Sequence, residues 1–258
     1  MLRWTTRSAP RSTRWAVHDV LQFDDVTRTF RGGAGVSDLT FEVEPGEIVA
    51  LIGLNGAGKT TLMRLALGML RPQHGSVRIF DRSLDTLPAD AWAGVGALIE
   101  VPLAYPELTV QQNLHVACML HGSDLARADA PVEAWNLGLL ADRRFRRLSL
   151  GNRQRVGLAA ALQHDPRLIV LDEPSNALDP AGMILLREQL TRRAGEGAAI
   201  MVSSHHLDEV SRIADRVLLM NAGRLIGQLD TMGSDLERAF FERIRLDDEH
   251  REAAEEAR

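Results

Sequence analysis

What this 258-residue sequence lacks narrows it first. It has a single cysteine, Cys118, so an internal disulfide and a cysteine-rich metal site are both excluded, a pattern that fits a reducing compartment. Long apolar runs are absent as well: nothing approaches the roughly 18 consecutive apolar residues needed to cross a bilayer. The first twenty residues carry Arg3, Arg7, Arg11 and Arg14, with no acid before Asp19, and lack the apolar stretch of a secretory signal. There is no excess of positive charge, and a net charge of -5 argues against nucleic acid as a partner. Lysine is almost missing. Against 29 arginines there is one lysine, Lys59, which marks a place where an arginine would not serve. What remains, 45% hydrophobic and 25% charged residues, is ordinary for a globular chain of one large or two small domains and excludes collagen-like and wholly disordered readings.

That lone lysine stands in Gly53-Leu54-Asn55-Gly56-Ala57-Gly58-Lys59-Thr60-Thr61, a full match to G-x-x-x-x-G-K-[ST]. Ile48 to Ile52 before it has the length of a buried strand, and Thr60 to Leu70 after it has the apolar content of a buried helix. A strand, a glycine-rich turn and a helix start present several backbone N–H groups to phosphate oxygens. Gly53, Asn55, Gly56, Ala57, Gly58, Lys59, Thr60 and Thr61 are therefore the expected phosphate-binding residues, with Lys59 on the β- and γ-phosphates and the Thr60 hydroxyl on Mg²⁺. A chance match in a glycine turn is the competing explanation. Downstream, Leu168 to Leu171 reads as a buried parallel strand ending in Asp172, Glu173 and Pro174. Acids at the carboxyl end of such a strand sit where α/β sheets bind ligands, so Asp172 is expected to hold Mg²⁺ through water and Glu173 to polarise the attacking water. Taken alone, the pair reads equally well as an ordinary strand exit; the phosphate loop decides between them.

Leu148-Ser149-Leu150-Gly151-Asn152-Arg153-Gln154-Arg155 resembles the signature of ATP-binding-cassette (ABC) proteins, with Ser149 standing 23 residues before Asp172. Ser175-Asn176-Ala177-Leu178-Asp179-Pro180 is similar to that family's D-loop, and Val202-Ser203-Ser204-His205 to its switch strand and histidine. Phe30 falls where the family stacks an aromatic ring on adenine, although an aromatic there is otherwise a core residue. From about Leu21 to Asp230 the chain is identified as a member of this family. The resemblance implies an α/β fold: a P-loop NTPase (RecA-like) core with an antiparallel β-subdomain and an inserted helical subdomain. It implies ATP hydrolysis with Mg²⁺, a head-to-tail homodimer in which Ser149 and Gly151 close on the partner's ATP, and His205 on the γ-phosphate and water. His206 competes for that role, and a lone histidine at a strand end is otherwise structural. It further implies a separate membrane permease, no nucleic acid, and a cytoplasmic place at the inner face of the membrane. A soluble ABC ATPase acting on ribosomes or DNA is the alternative; such proteins usually carry two cassettes or a long coiled coil, and this chain has neither.

Two positions depart from the family's common pattern. Glu100, at the end of Val95 to Glu100, replaces glutamine and is expected to ligate Mg²⁺, crowding Asp172 and Glu173, or else to be a solvated loop acid. Leu150 replaces a glycine. With Val101 to Leu114, these features resemble the ATPases of bacitracin and lantibiotic resistance transporters. Residues 1–20 are expected to be a disordered basic extension, 21–230 the ATPase domain with its helical subdomain at about 101–160, and 231–258 a C-terminal helix and acidic tail. Antiparallel strands are expected over Leu21 to Glu44 around Gly32, Gly33 and Gly35, and further strands over Ala198 to Val202 and Val217 to Met220. Helices are expected over Thr109 to Gly122, Pro131 to Leu140, Ile184 to Arg193 and Leu207 to Ala214. Arg143, Arg144, Arg146 and Arg147 read as a solvated face, and Asp247, Asp248, Glu249, Glu252, Glu255 and Glu256 as a solvated tail.

Overall fold

Ile48–Ile52 (β3) shows why the centre of this protein is a parallel sheet. All five residues are buried, and they alternate between two cores: Ile48, Ala50 and Ile52 enter one, Val49 and Leu51 the other. A strand covered on both faces must be apolar at every position, which is what the sequence supplies. The computed structural model describes residues 20–123, 129–205, 207–229 and 236–256. The basic extension with Arg3, Arg7, Arg11 and Arg14, the competing histidine His206, and the domain boundary near 230 all lie outside the described residues.

β3 pairs in parallel with Ala199–Ser204 (β8) on one side and Arg216–Asn221 (β9) on the other. β8 pairs in turn with Leu168–Leu171 (β7), and β7 with Val95–Leu98 (β6), again in parallel. Arg224–Leu229 (β10) adds an antiparallel edge, giving the order β10-β9-β3-β8-β7-β6. Parallel pairing brings the carboxyl ends of β3, β6, β7 and β8 to one edge, so the loops opening at Gly53, Ile99, Asp172 and His205 meet there. Across one face lies an antiparallel sheet of Leu21–Thr29 (β1), Gly35–Val43 (β2), His74–Ile79 (β4) and Arg82–Ser83 (β5), in the order β2-β1-β4-β5. Between the sheets Lys59–Ala66 (α1) buries Leu62, Met63, Leu65 and Ala66 in the core shared with Val26, Val36 and Leu39.

The other face is helical, with Val110–Leu120 (α2), Ala130–Ala134 (α3), Leu150–Leu162 (α4), Pro180–Gly195 (α5), Leu207–Val210 (α6) and Leu236–Glu256 (α7). Thr109 opens α2 with a capping box: its hydroxyl accepts from the Gln112 amide while the Gln112 side chain accepts from the Thr109 amide. Leu114, Trp135, Leu137 and Val156 lock this helical part onto the sheet. Trp135 is 2% exposed, and its loss to alanine costs about 3–5 kcal/mol on general grounds. No helix among the described residues is long and apolar enough to cross a membrane.

The expected elements need several corrections. α1 ends at Ala66 rather than Leu70, because Gly68 turns left-handed at φ 66°. The helix expected over Pro131 to Leu140 is split: α3 stops at Ala134, Asn136 has φ 52°, and only a short 3₁₀ turn follows at Gly138–Leu140. α5 begins four residues before Ile184, at Pro180, since Asp179 caps it by accepting from the Gly182 amide at 2.8 Å and proline suits the first helical position. α6 ends at Val210, short of Ala214. The acidic tail is not merely solvated. Phe240 and Ile244 anchor α7 in the core, Asn221 donates to both Asp247 and Asp248, and Arg224 pairs with Asp247 at 2.9 Å.

Candidate functional site

The turn after β3 wraps around its own lysine. Gly53 and Ala57 are buried, Asn55 and Gly56 are exposed at the tip, and Lys59, Thr60 and Thr61 begin α1. Gly58 sits at φ 103° with the Gly35 carbonyl oxygen 2.8 Å from where a Cβ would lie, so only glycine fits this approach of loop to sheet. Lys59 is 7% exposed; its Nζ donates to the Gly53 carbonyl at 2.7 Å and lies 3.6 Å from Glu173 Oε1. A single compact ammonium inside a ring of backbone is the geometry that a planar guanidinium cannot adopt, which accounts for the one lysine in an arginine-rich chain.

β7 delivers its two carboxylates beside that loop. Asp172 is 4% exposed, and its two oxygens accept from two hydroxyls: Thr60 Oγ1 at 2.7 Å and Ser203 Oγ at 2.6 Å. Glu173 has φ 47°, its amide donates to Ser203 Oγ at 2.8 Å, and its Oε2 lies 2.7 Å from His205 Nδ1. Thr60, Lys59, Asp172, Glu173 and His205 are thus joined in one cluster, drawn from α1, β7 and β8. The hydroxyl of Thr60 and the carboxylate of Asp172 are hard oxygen donors side by side, which suits a magnesium ion that keeps several waters and takes further oxygens from phosphate.

Glu100 does not join this cluster by any bond to Asp172 or Glu173. It stands at φ 61° just past β6, 54% exposed, and accepts from Arg64 Nη2 at 2.7 Å. Arg64 is one helical turn beyond Thr60 on α1 and neutralises the acid, so the expected crowding of three bare carboxylates is not the arrangement found; no group of three such acids or histidines near enough for a shared metal occurs among the described residues. Phe30 is 39% exposed and carries the Arg28 guanidinium 5.2 Å from its ring centroid, so it is a surface aromatic and not a core one.

The signature forms a second, separate surface. Ser149 caps α4, accepting from the Asn152 amide at 3.3 Å, and both Ser149 and Leu150 are exposed, Leu150 at 69%. Behind them α4 is fixed to the chain that follows Glu173. A Cβ on Gly151 would stand 2.5 Å from the Ala177 carbonyl oxygen, Arg155 pairs with Asp179, and Gln154 donates to the Pro174 carbonyl at 3.0 Å. The Asp179 carboxyl is held below its usual range, first by the Gly182 amide and then by Arg155. Arg144 and Arg146 both reach Glu107 on the exposed side, as a solvated face does.

Sequence reasoning missed the linking residues. Ser203 was expected only to end a strand, yet it is fully buried and bonded to both acids; the signal was a hydroxyl in an otherwise apolar buried run. Asn113 was missed too. It is 6% exposed and holds Tyr105 by bonds to its amide and carbonyl, shaping the loop on which Val101, Leu103 and Tyr105 are exposed.

Residues 36–176 match the family described as ABC transporter. The chain is 39% identical over 209 residues to an uncharacterized ABC transporter ATP-binding protein of Bacillus subtilis, YhcH, covering 80% of this chain and 68% of that one. It is 35% identical over 214 residues to the bacitracin transport ATP-binding protein BcrA of Enterococcus faecalis, covering 82% and 69%. With the Nod factor export ATP-binding protein I of Rhizobium etli it shares 34% over 224 residues, 85% of this chain and 71% of the other. A solved structure described as the ATP-binding subunit of an ABC transporter superposes with a TM-score of 0.76 at 29% identity, over 90% of this chain and 98% of that one. A dimeric ATP-binding cassette bound to ADP and Pi in a post-hydrolysis state shares the fold, with a TM-score of 0.71 at 22% identity over 83% and 99%.

Proposed function

The chain belongs to the ABC transporter family as an ATP-binding and ATP-hydrolysing subunit, and from that premise we propose how its residues divide the work and what they power. Lys59 and the amides of the Gly53 to Thr61 loop bind the β- and γ-phosphates. Thr60 and Asp172 hold Mg²⁺, which neutralises phosphate charge when bound. Glu173 orients the attacking water and accepts its proton, while His205 holds the Glu173 carboxylate and serves the γ-phosphate. Phe30 offers the exposed part of its ring to the adenine. Glu100 would be a further oxygen donor to the metal, in competition with its pairing to Arg64. The observation that carries this reading is the single hydrogen-bonded cluster in which the phosphate-loop Thr60, the acids of β7 and the histidine after β8 are already assembled.

Ser149 and Gly151 lie on the exposed face of α4 and are proposed to close on the ATP of a second copy, giving a homodimer with two nucleotides. The exposed Val101, Leu103 and Tyr105 are proposed to meet a membrane permease, which holds the protein at the inner face of the cell membrane. No nucleic acid is needed. The cargo class we infer is a membrane-active peptide antibiotic moved outward, supported by the relatives named for bacitracin transport, by Glu100, and by the SLGNRQR and YPELT segments. Deleting the gene and measuring inhibitory concentrations across peptide antibiotics tests this. Raised sensitivity to one of them is expected, whereas unchanged sensitivity with a defect in moving a sugar, a lipid or another drug would favour a different exporter class.

A further inference from the structure

We infer that Ser203 is a positioning residue for hydrolysis: one hydroxyl that sets the Asp172 carboxylate and the Glu173 backbone at the same time. The inference rests on the roles proposed above for those two acids. β8 and β7 are in parallel register with Leu171 beside Val202, so the next residue on each strand, Asp172 and Ser203, stand abreast at the edge where the site opens. Ser203 is 0% exposed in the middle of the sheet, where burying a hydroxyl is unfavourable unless every bonding capacity is used. Here it is used. The one hydrogen of Ser203 Oγ goes to Asp172 Oδ1 at 2.6 Å, and a lone pair accepts the Glu173 amide at 2.8 Å.

Each bond does something different. The bond to Asp172, with that of Thr60 to the other oxygen, leaves the carboxylate no freedom to rotate, and its remaining lone pairs point away from both hydroxyls. The bond from the Glu173 amide holds a residue at φ 47°, a left-handed conformation that a side-chain-bearing residue adopts only when its surroundings enforce it. That backbone setting aims the Glu173 side chain at both Lys59 and His205. A neutral residue buried within the sheet therefore decides where the water-orienting carboxylate stands. Because the hydroxyl donates to a charged acid while accepting the amide, the two bonds strengthen one another.

The test uses the full chain with three variants beside the parent. Ser203→Ala removes both bonds without adding volume, and Ser203→Thr keeps the hydroxyl in a residue suited to a strand. Ser203→Ala is expected to lower kcat about 10- to 100-fold, the cost of misplacing a reacting group by a fraction of an ångström to an ångström, with KM for ATP little changed. Ser203→Thr is expected to restore most of kcat. Without nucleotide, the Glu173 amide should exchange its hydrogen faster in Ser203→Ala than in the parent, a readout that does not depend on turnover. Parent-like kcat in Ser203→Ala, unchanged protection of the Glu173 amide, or a loss that Ser203→Thr shares would each overturn the inference. Glu173→Gln, run alongside, separates the premise from the proposal: if it hydrolyses ATP at the parent rate the roles assigned to the site fail, and if it is slow while Ser203→Ala is normal only the positioning role fails.

Discussion

Two surfaces of this protein carry the phosphate-binding roles proposed above, and they are built in opposite ways. Around the phosphate loop, Lys59, Asp172 and Ser203 are all nearly or fully buried, and each polar group already has a partner in the same chain. Around the signature, Ser149 and Leu150 lie open, and everything that fixes them is behind: Gly151 against Ala177, Arg155 on Asp179, Gln154 on Pro174. A pre-set site held rigid by its own bonds can do chemistry when substrate arrives. An exposed helix start with a rigid back is instead a face made to be placed against something else. The difference is what the proposed dimer requires: one half of the site bonded together within the chain, the other half exposed on a rigid support.

The sharpest way to break that comparison is Lys59→Ala, which strikes only the buried half. Removing the ammonium leaves the loop carbonyls and Glu173 without their cation, so ATP binding weakens and hydrolysis falls about 100- to 1,000-fold or more, as when other preorganised charge-stabilising groups are deleted. Equal ATPase rates in variant and parent would refute the assignment of the loop. Gly151→Ala strikes the other half. Its Cβ would press on the Ala177 carbonyl, and overpacking of this kind costs about 1–3 kcal/mol in a urea melt. ATP binding to the monomer should survive while hydrolysis, which the proposed dimer makes dependent on both halves, declines.

An effect on stability alone is a pH dependence in the support of the signature helix. His164, at the end of α4, stacks on His121 at the end of α2 with ring centroids 3.6 Å apart, and its Nε2 meets the Val95 carbonyl oxygen at 3.1 Å. Burial, then the charge of His121, push its pKa down to about 4, and burial lowers His121 as well. The folded state therefore binds fewer protons than the unfolded chain between the ordinary histidine value of 6.5 and about 4. Stability is full above that window, falls as the pH drops through it, and is lost by about 1–3 kcal/mol at its lower end. Urea unfolding at pH 7 and pH 4.5 measures this, and in His164→Gln the part of the drop due to this residue should vanish.

How much of this was readable beforehand follows the same division. The buried half was legible because its chemistry is written in consecutive residues: Ile48 to Thr61 and Leu168 to Glu173 each hold a strand and the functional groups that follow it in one segment, and β3 and β7 appeared where expected. What joins segments far apart in the chain was not legible. Ser203 matters because β8 lies beside β7, and Arg64 matters to Glu100 because the fold brings α1 within bonding distance of the residue just past β6, facts of topology that no local pattern carries. The broken helix at Asn136 and the early start of α5 at Pro180 were lost to turn and cap chemistry, which acts through one residue at a time. The docking of α7 was hidden by its charge, since Asp247 and Asp248 read as solvent-facing until Asn221 and Arg224 are brought beneath them.

The central claim, that a complete hydrolytic half requires the signature half of a second copy, is tested most directly by the mass in solution of Glu173→Gln. Losing the water-orienting carboxylate should slow hydrolysis about 100-fold or more while leaving Lys59, Thr60 and Asp172 to bind ATP with Mg²⁺. Sedimentation velocity of this variant is predicted to show monomer without nucleotide, dimer with ATP and Mg²⁺, and monomer again when Gly151→Ala is added. A folded variant that binds ATP yet stays monomeric at every concentration would contradict the account.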